Sequence, residues 1–340
     1  MEATVNGTAV NIQLMLIIED VSQIADARRQ SAELARSAGF GETDRGRVSL
    51  VATEAASNIL KHAGHGELLV RWLETSNITG IEIIALDRGP GLLDSMRSFE
   101  DGHSTVGTAG TGLGALSRMA DEFDWYSQPG KGTVFRMALW PGRAVPAKQI
   151  EVGAICVAMP GQDVPGDDWR LAQLDGGCTL MVADGLGHGL EAFSASRAAT
   201  DLLDRRENWS TRTLLEEAHG ALRSTRGAAI SVATLDFFTG RLQFAGIGNV
   251  AGSIRNGSLR KQFITHNGIV GHNMRRLQEL DSELPEEALL ILHSDGLSTQ
   301  WTLDEFPGIE ARHPAVIAAT IYKEHWRRRD DVTIVALRRA

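Results

Sequence analysis

Six residues divide this chain. Pro141-Gly-Arg-Ala-Val-Pro146 sets two prolines and a glycine directly after a finished apolar strand pattern. Each proline fixes φ and withdraws a backbone donor, so neither a helix interior nor a central strand crosses this stretch. The texture differs on its two sides. Before it, helical periodicity and strands are mixed; after it, many short strand patterns are interrupted by a few helical ones. At 340 residues with 43% hydrophobic content, the chain has the length and apolar surface for two cores. The expected organisation is an α/β domain over 1–140, a linker over 141–149 and a second domain over 150–340.

In the first part the pattern predicts a strand over Val10 to Ile18, a helix over Val21 to Ser37 and a helix over Glu42 to Ala63. Strands are expected near Glu67 to Leu73, Gly80 to Leu86, Asp124 to Ser127 and Thr133 to Trp140. A polar, Gly-rich loop covers about Phe99 to Thr111, and a helix starts within Gly112 to Met119. In the second part strands are expected over Ile150–Ala158, Trp169–Leu174, Cys178–Ala183, Ala229–Asp236, Arg241–Ala245, Ala251–Arg255, Leu289–His293 and Val332–Leu337. Helices are expected over Leu190–Asn208, Thr211–Ser224 and Pro314–Trp326.

Three motifs in the first part point to nucleotide chemistry. Glu54-Ala-Ala-Ser-Asn58 puts a carboxylate and a carboxamide four residues apart on one helix face, opposite the apolar stripe, with Lys61 and His62 one turn on. The amide oxygen suits Mg²⁺, a hard cation, and the carboxylate suits orienting or deprotonating a hydroxyl. Asp87-Arg-Gly-Pro-Gly91 follows a buried-looking strand. Its carboxylate can accept from an adenine amine, while Gly89 and Gly91 permit a tight turn. Gly110-Thr-Gly-Leu-Gly114 leads into a helix, so that Gly110, Gly112 and Gly114 would present backbone N–H groups to a phosphate.

The second part carries widely spaced aspartates at strand borders: Gly166-Asp-Asp-Trp169, Asp184-Gly-Leu-Gly-His-Gly189, Ser294-Asp-Gly296 and Arg329-Asp-Asp331. Strand ends of a packed sheet converge on one edge. Carboxylates gathered there repel unless divalent cations lie between them, and all-oxygen ligation selects Mg²⁺ or Mn²⁺. Two such ions support phosphoryl transfer to water. The doubled aspartates leave Asp167 or Asp168, and Asp330 or Asp331, open as ligands. His188 either faces a phosphate or stands in a solvated loop.

The first set of motifs resembles the GHKL ATP-binding family, and within it the anti-sigma and switch serine kinases of the RsbW/RsbT kind. Gly130-Lys-Gly-Thr133 is similar to that family's last box, and Glu100-Asp-Gly-His-Ser-Thr105 to a short RsbT-type lid. The resemblance implies Glu54 as catalytic base, Asn58 as Mg²⁺ ligand, Asp87 as adenine partner, Gly110 to Gly114 as phosphate loop and Thr133 as support for Asp87. The second set resembles the metal-dependent PPM (type 2C) Ser/Thr phosphatases of the SpoIIE/RsbU/RsbX branch, with Gly246-Ile-Gly-Asn-Val250 of RsbX type. That resemblance implies an αββα sandwich, with Asp167, Asp184, Asp295, Asp330 and the Gly185 carbonyl holding two Mg²⁺ or Mn²⁺ ions.

Together they imply a kinase and a phosphatase acting on STAS-type antagonist or stressosome-type proteins, with a sigma factor or downstream switch protein as a further partner. The alternative is a non-catalytic ATP-binding interaction module fused to a phosphatase. A formal net charge of -9 argues against nucleic acid as partner. No membrane span or secretory pattern is visible, so a cytoplasmic location is expected. Cys156 and Cys178 sit in apolar runs without metal-ligand spacing and are expected to be buried thiols.

Overall fold

The structure is a computed structural model that describes residues 13–75, 78–92, 112–174, 176–205, 210–257, 259–274, 276–298 and 300–340. Two compact units result, Met1–Ala147 and Lys148–Ala340.

The first unit is a two-layer α/β sandwich. Its strands are β1 (Leu14–Ile18), β2 (Gly66–Glu74), β3 (Thr79–Asp87), β4 (Glu122–Gln128) and β5 (Gly132–Leu139). They form one antiparallel sheet in the order β1-β2-β3-β5-β4. Helices α1 (Val21–Ser37), α2 (Glu42–Ala63) and α3 (Gly112–Met119) supply the other layer. Alternate strand residues Leu68, Val70, Ile81, Ile83, Phe135 and Met137 meet Val48, Val51, Ala52, Ala55 and Ile59 of α2 in one core. Helix α1 begins where expected because Asp20 and Gln23 form a reciprocal capping box. Helix α2 ends at Gly64, whose φ of 72° is the left-handed cap that glycine adopts without strain.

In the same sheet Glu82 is fully buried between two guanidiniums. Arg71 Nε and Arg136 Nε each donate to one of its oxygens at 2.7 Å. Burial alone would raise the Glu82 pKa, but the two arginines override it and hold the carboxyl below its ordinary value.

The second unit stacks two antiparallel five-stranded sheets. One contains β7 (Asp167–Leu174), β8 (Gly177–Gly185), β9 (Ala228–Asp236), β10 (Arg241–Ile247) and β13 (Leu280–Glu283), in the order β13-β10-β9-β8-β7. The other contains β6 (Ile150–Val157), β11 (Ala251–Asn256), β12 (Leu259–Phe263), β14 (Leu289–His293) and β15 (Val332–Arg339), in the order β12-β11-β14-β15-β6. A core of Trp169, Leu180, Val182, Phe244, Ile254, Leu290, Leu292 and Val335 fills the space between them. Helices α4 (Leu190–Thr200) and α5 (Thr211–Ala221) cover the first sheet, and α6 (Pro314–His325) covers the second. The layering is therefore α-β-β-α. Both cysteines are free and buried, and among the described residues no helix is long and apolar enough to cross a membrane.

Several elements differ from the sequence pattern. The first strand is described from Leu14, since residues 1–12 lie outside the described set. Helix α4 ends at Thr200 and gives way to a 3-10 turn over Asp201–Arg205. There Arg170 and Arg197 both pair with Asp201, which favours a tightened turn over continued helix. Strands β12 and β13 have no sequence-level counterpart. They are sheet edges whose exposed residues, including Arg260, Lys261 and Gln262, hide the apolar alternation.

Candidate functional site

In the first unit α2 carries Glu54 and Asn58 along one flank, but not as a solvated face. Glu54 is half-buried and Asn58 is only 8% exposed. The Asn58 Nδ2 is buried without a hydrogen-bond partner. Asn58 borders the buried Ala55 and Ile59 on the helix surface, which is why the second member turns inward. Lys61 and His62 are exposed.

Asp87 closes β3, paired with Gly66 of β2. Its Oδ1 accepts the Gly89 N–H at 2.8 Å, a turn that fixes the carboxyl orientation. Gly91 needs its φ of 74°, and a Cβ there would lie 2.5 Å from the Gln128 carbonyl. Thr133, buried on β5, faces Ser127 of β4 across the ladder with their hydroxyls 3.0 Å apart. The Ser127 hydroxyl also accepts the Leu92 N–H at 2.8 Å and donates to the Gly132 carbonyl at 3.1 Å. Gly132 in turn lies against the Asp87 backbone so closely that a Cβ would overlap its carbonyl. Ser127 thus ties the Thr133 strand to the turn after Asp87, a role no sequence motif advertised. Gly112 and Gly114 stand in the first turn of α3. Gly110, the lid over 100–105 and most of the Gly-rich loop lie outside the described residues.

The second unit gathers its aspartates at one end of both sheets. Strand pairing places Asp167 opposite Asp184, at the border of β7 and β8. Strand β8 runs on through Asp184 to Gly185, where the Gly185 N–H donates to Gly166 O at 3.2 Å. In the other sheet, Ser294 N–H donates to Thr333 O, and Thr333 N–H to the Ser294 hydroxyl at 2.9 Å. That clamp ends the β14–β15 ladder and puts Asp295 and Asp330 on the two chains leaving it. Gly296 is required there, because a Cβ would collide with the Asp331 carbonyl.

The electrostatics record the convergence. Burial, followed by the charges of Asp167, Asp295, Asp330 and Asp331, pushes Asp184 up to about 9. Burial pushes Asp167 up to about 7, with Asp331 and Asp330 adding to it and hydrogen bonds from Ser294 and Thr333 opposing. Asp330 is also raised, by burial and then by Asp295. Asp167 Oδ2 is buried without a hydrogen-bond partner.

The doubled aspartates separate by environment. Asp167 faces the acidic group, whereas Asp168 turns to α4, where the Thr200 hydroxyl donates to it and Arg197 and Arg170 stand nearby. Asp331 is 2% exposed and tied down: its two oxygens accept the N–H groups of Met159 and Gly166, both at 2.8 Å. Asp330 is exposed and has His188 within electrostatic reach. Asp295 Oδ2 accepts a hydrogen bond from the Asn249 amide at 2.6 Å.

Among the described residues no three His, Cys, Asp or Glu side chains close into a metal cage. Mg²⁺ keeps several waters and takes only one or two carboxylates, so it does not require such a cage. The orphaned Asp167 oxygen and the mutual repulsion of the group are the features a divalent cation would relieve.

Comparison with known proteins agrees with this geometry. Residues 18–139 match the histidine kinase-like ATPase domain. The serine/threonine-protein kinase RsbT of Bacillus subtilis is 37% identical over 117 residues, 34% of this chain and 88% of RsbT. The chain belongs to the histidine kinase-like ATPases. Its second half is a SpoIIE-type domain of the PPM phosphatase class: residues 174–340 match stage II sporulation protein E. The phosphoserine phosphatase RsbX of Bacillus subtilis is 24% identical over 139 residues, 41% of this chain and 70% of RsbX. Two solved structures share the phosphatase fold. One, from a study of the bacterial stressosome as a modular system adapted to control secondary messenger signaling, is 27% identical with a TM-score of 0.52, covering 56% of this chain and all of the other. The other, RsbX in complex with magnesium, is 20% identical with a TM-score of 0.51, covering 58% and 98%. The SpoIIE match begins after Asp167, so the place of that residue rests on its strand register with Asp184.

Proposed function

We propose that the chain is a bifunctional partner-switching regulator. Its ATPase unit phosphorylates Ser/Thr of a STAS-type antagonist protein, and its phosphatase unit removes that phosphate. The convergence of Asp167, Asp184, Asp295 and Asp330 from two sheets carries the phosphatase half of this reading. These four and the Gly185 carbonyl would hold two Mg²⁺ or Mn²⁺ ions, which when bound would supply an activated water and a clamp for the phosphoryl oxygens. Asp331 keeps the β6–β7 loop closed behind Asp167 by accepting the Met159 and Gly166 N–H groups.

In the ATPase unit Asp87 receives the adenine amine, with Thr133 and Ser127 bracing the strand behind it. Asn58 would ligate Mg²⁺ through its amide oxygen, and Glu54, four residues earlier on α2, would take the proton of the attacking hydroxyl. The 37% identity to RsbT supports assigning kinase chemistry to this unit. The stressosome likeness of the phosphatase fold supports an antagonist partner of that system in a bacterial stress or sigma-factor pathway.

The full chain with Mg·ATP should label a cognate STAS protein, and with Mn²⁺ should strip the label. Glu54→Ala should abolish only labelling, and Asp184→Asn only stripping. Loss of both activities in either variant refutes two independent sites. ATP binding without transfer to any antagonist protein would instead establish the ATPase unit as a nucleotide-dependent binding module.

A further inference from the structure

Asn249 belongs to none of the acidic motifs, yet it touches one of their carboxylates. It lies in the turn between β10 and β11, and its amide donates to Asp295 Oδ2 at 2.6 Å. That turn is held from several sides. The Thr265 hydroxyl donates to Gly248 O at 2.7 Å, and the Ser231 hydroxyl donates to Val250 O at 2.7 Å. The Gly248 N–H donates to His266 O at 2.8 Å. Gly248 itself adopts a φ of 94°, and a Cβ there would lie 2.4 Å from the Ala229 Cβ, so only glycine fits. The amide is therefore presented from a fixed backbone rather than from a loose loop.

Asp295 leaves the end of β14 and faces Asp184 and Asp330, both of which feel its charge. Left alone, its carboxylate would rotate away from these like charges. An amide donor on Oδ2 opposes that rotation and leaves Oδ1 for a cation. A carboxylate at position 249 would add repulsion at the same short distance, which gives a physical reason for asparagine here.

We infer that Asn249 is a positioning residue for the divalent-metal site: it fixes the Asp295 carboxylate in its metal-binding orientation and so sets metal affinity rather than the chemical step. The inference rests on the reading that these aspartates hold Mn²⁺ or Mg²⁺. Outer hydrogen-bond partners of metal ligands typically contribute tenfold to a hundredfold in affinity.

The test uses the full chain and Mn²⁺ alone as probe. Isothermal titration of the metal-free protein should show Mn²⁺ bound about 10- to 100-fold more weakly by Asn249→Ala and by Asn249→Leu, which keeps the side-chain size without the donor. Thr265→Val, which frees the turn from one anchor, should weaken binding by a smaller factor. Melting in EDTA should match the wild type, and kcat on a phosphoserine peptide at saturating Mn²⁺ should stay within about threefold. Unchanged Mn²⁺ affinity in both Asn249 variants overturns the inference, as does a collapse of kcat at saturating metal with affinity intact. Absence of Mn²⁺ binding by the wild type would be a different result, defeating the reading of the acidic site itself.

Discussion

The doubled aspartate at 330 and 331 yields a sharp test, because the two neighbours do opposite jobs. Asp331 is buried, and its oxygens accept the N–H groups at both ends of the loop from Met159 to Gly166. Replacing it with alanine strips a buried donor, the Gly166 N–H, and a half-buried one, the Met159 N–H, of their charged acceptor. Each such bond contributes about 1.5–3 kcal/mol. Removing one negative charge beside Asp167 and Asp184 returns on the order of 1 kcal/mol. The net cost of Asp331→Ala is therefore about 2–5 kcal/mol. The Asp330 carboxylate accepts the N–H of its own neighbour at 3.0 Å, and the residue is exposed. Asp330→Ala should change stability by less than about 1 kcal/mol, with relief of repulsion from Asp295 offsetting the lost bond. Urea unfolding of the full chain in EDTA, followed by circular dichroism and tryptophan fluorescence, separates the two. Mn²⁺ titration should then show the reverse order, with Asp330→Ala losing binding most severely. Equal destabilisation by the two variants, or less than 1 kcal/mol for Asp331→Ala, would refute this division of labour.

Other expectations follow from the same geometry. Excess Mn²⁺ or Mg²⁺ should raise the melting temperature of the phosphatase unit, and Asp184→Asn should remove that rise, as differential scanning calorimetry would show. Glu82 has a depressed pKa, so its contribution to stability is complete above its ordinary value of 4.5 and is lost as pH falls through the lower folded value. Glu82→Gln should cost about 3–5 kcal/mol at pH 7 by removing the buried carboxylate that Arg71 and Arg136 both bond, with Glu122 still paired to Arg136, and should flatten the acid limb of a pH–stability curve. Ser127→Ala should weaken ATP about tenfold by releasing Thr133 and the turn after Asp87 while leaving phosphatase kcat unchanged; equal ATP affinity by fluorescence titration would count against the bracing role.

The sequence made most of both architectures legible, for a definable reason. Helices α1 and α2 were readable to the residue because a capping box opens one and a left-handed glycine closes the other, both written in local chemistry. Strands β8, β14 and β15 announced themselves as continuous apolar runs because both faces are covered. Edge strands β12 and β13 did not, since solvent permits charge along them and periodicity fades.

The site divides along the same line. Motif order located the aspartates, but the choice within each Asp-Asp pair is tertiary information. It depends on Asp168 meeting Thr200 from a helix thirty-two residues away, and on Asp331 reaching back to the loop after β6. Asn58 turned inward because the helix buries a wider arc than its apolar residues alone mark out. Asn249 stood only in an RsbX-like stretch and Ser127 in no motif: each works through hydrogen bonds made across the fold, and no spacing within a motif encodes such a contact. The aspartates proposed to perform the chemistry are thus legible at strand ends, whereas the residues that orient them emerge only when register and turn geometry are known.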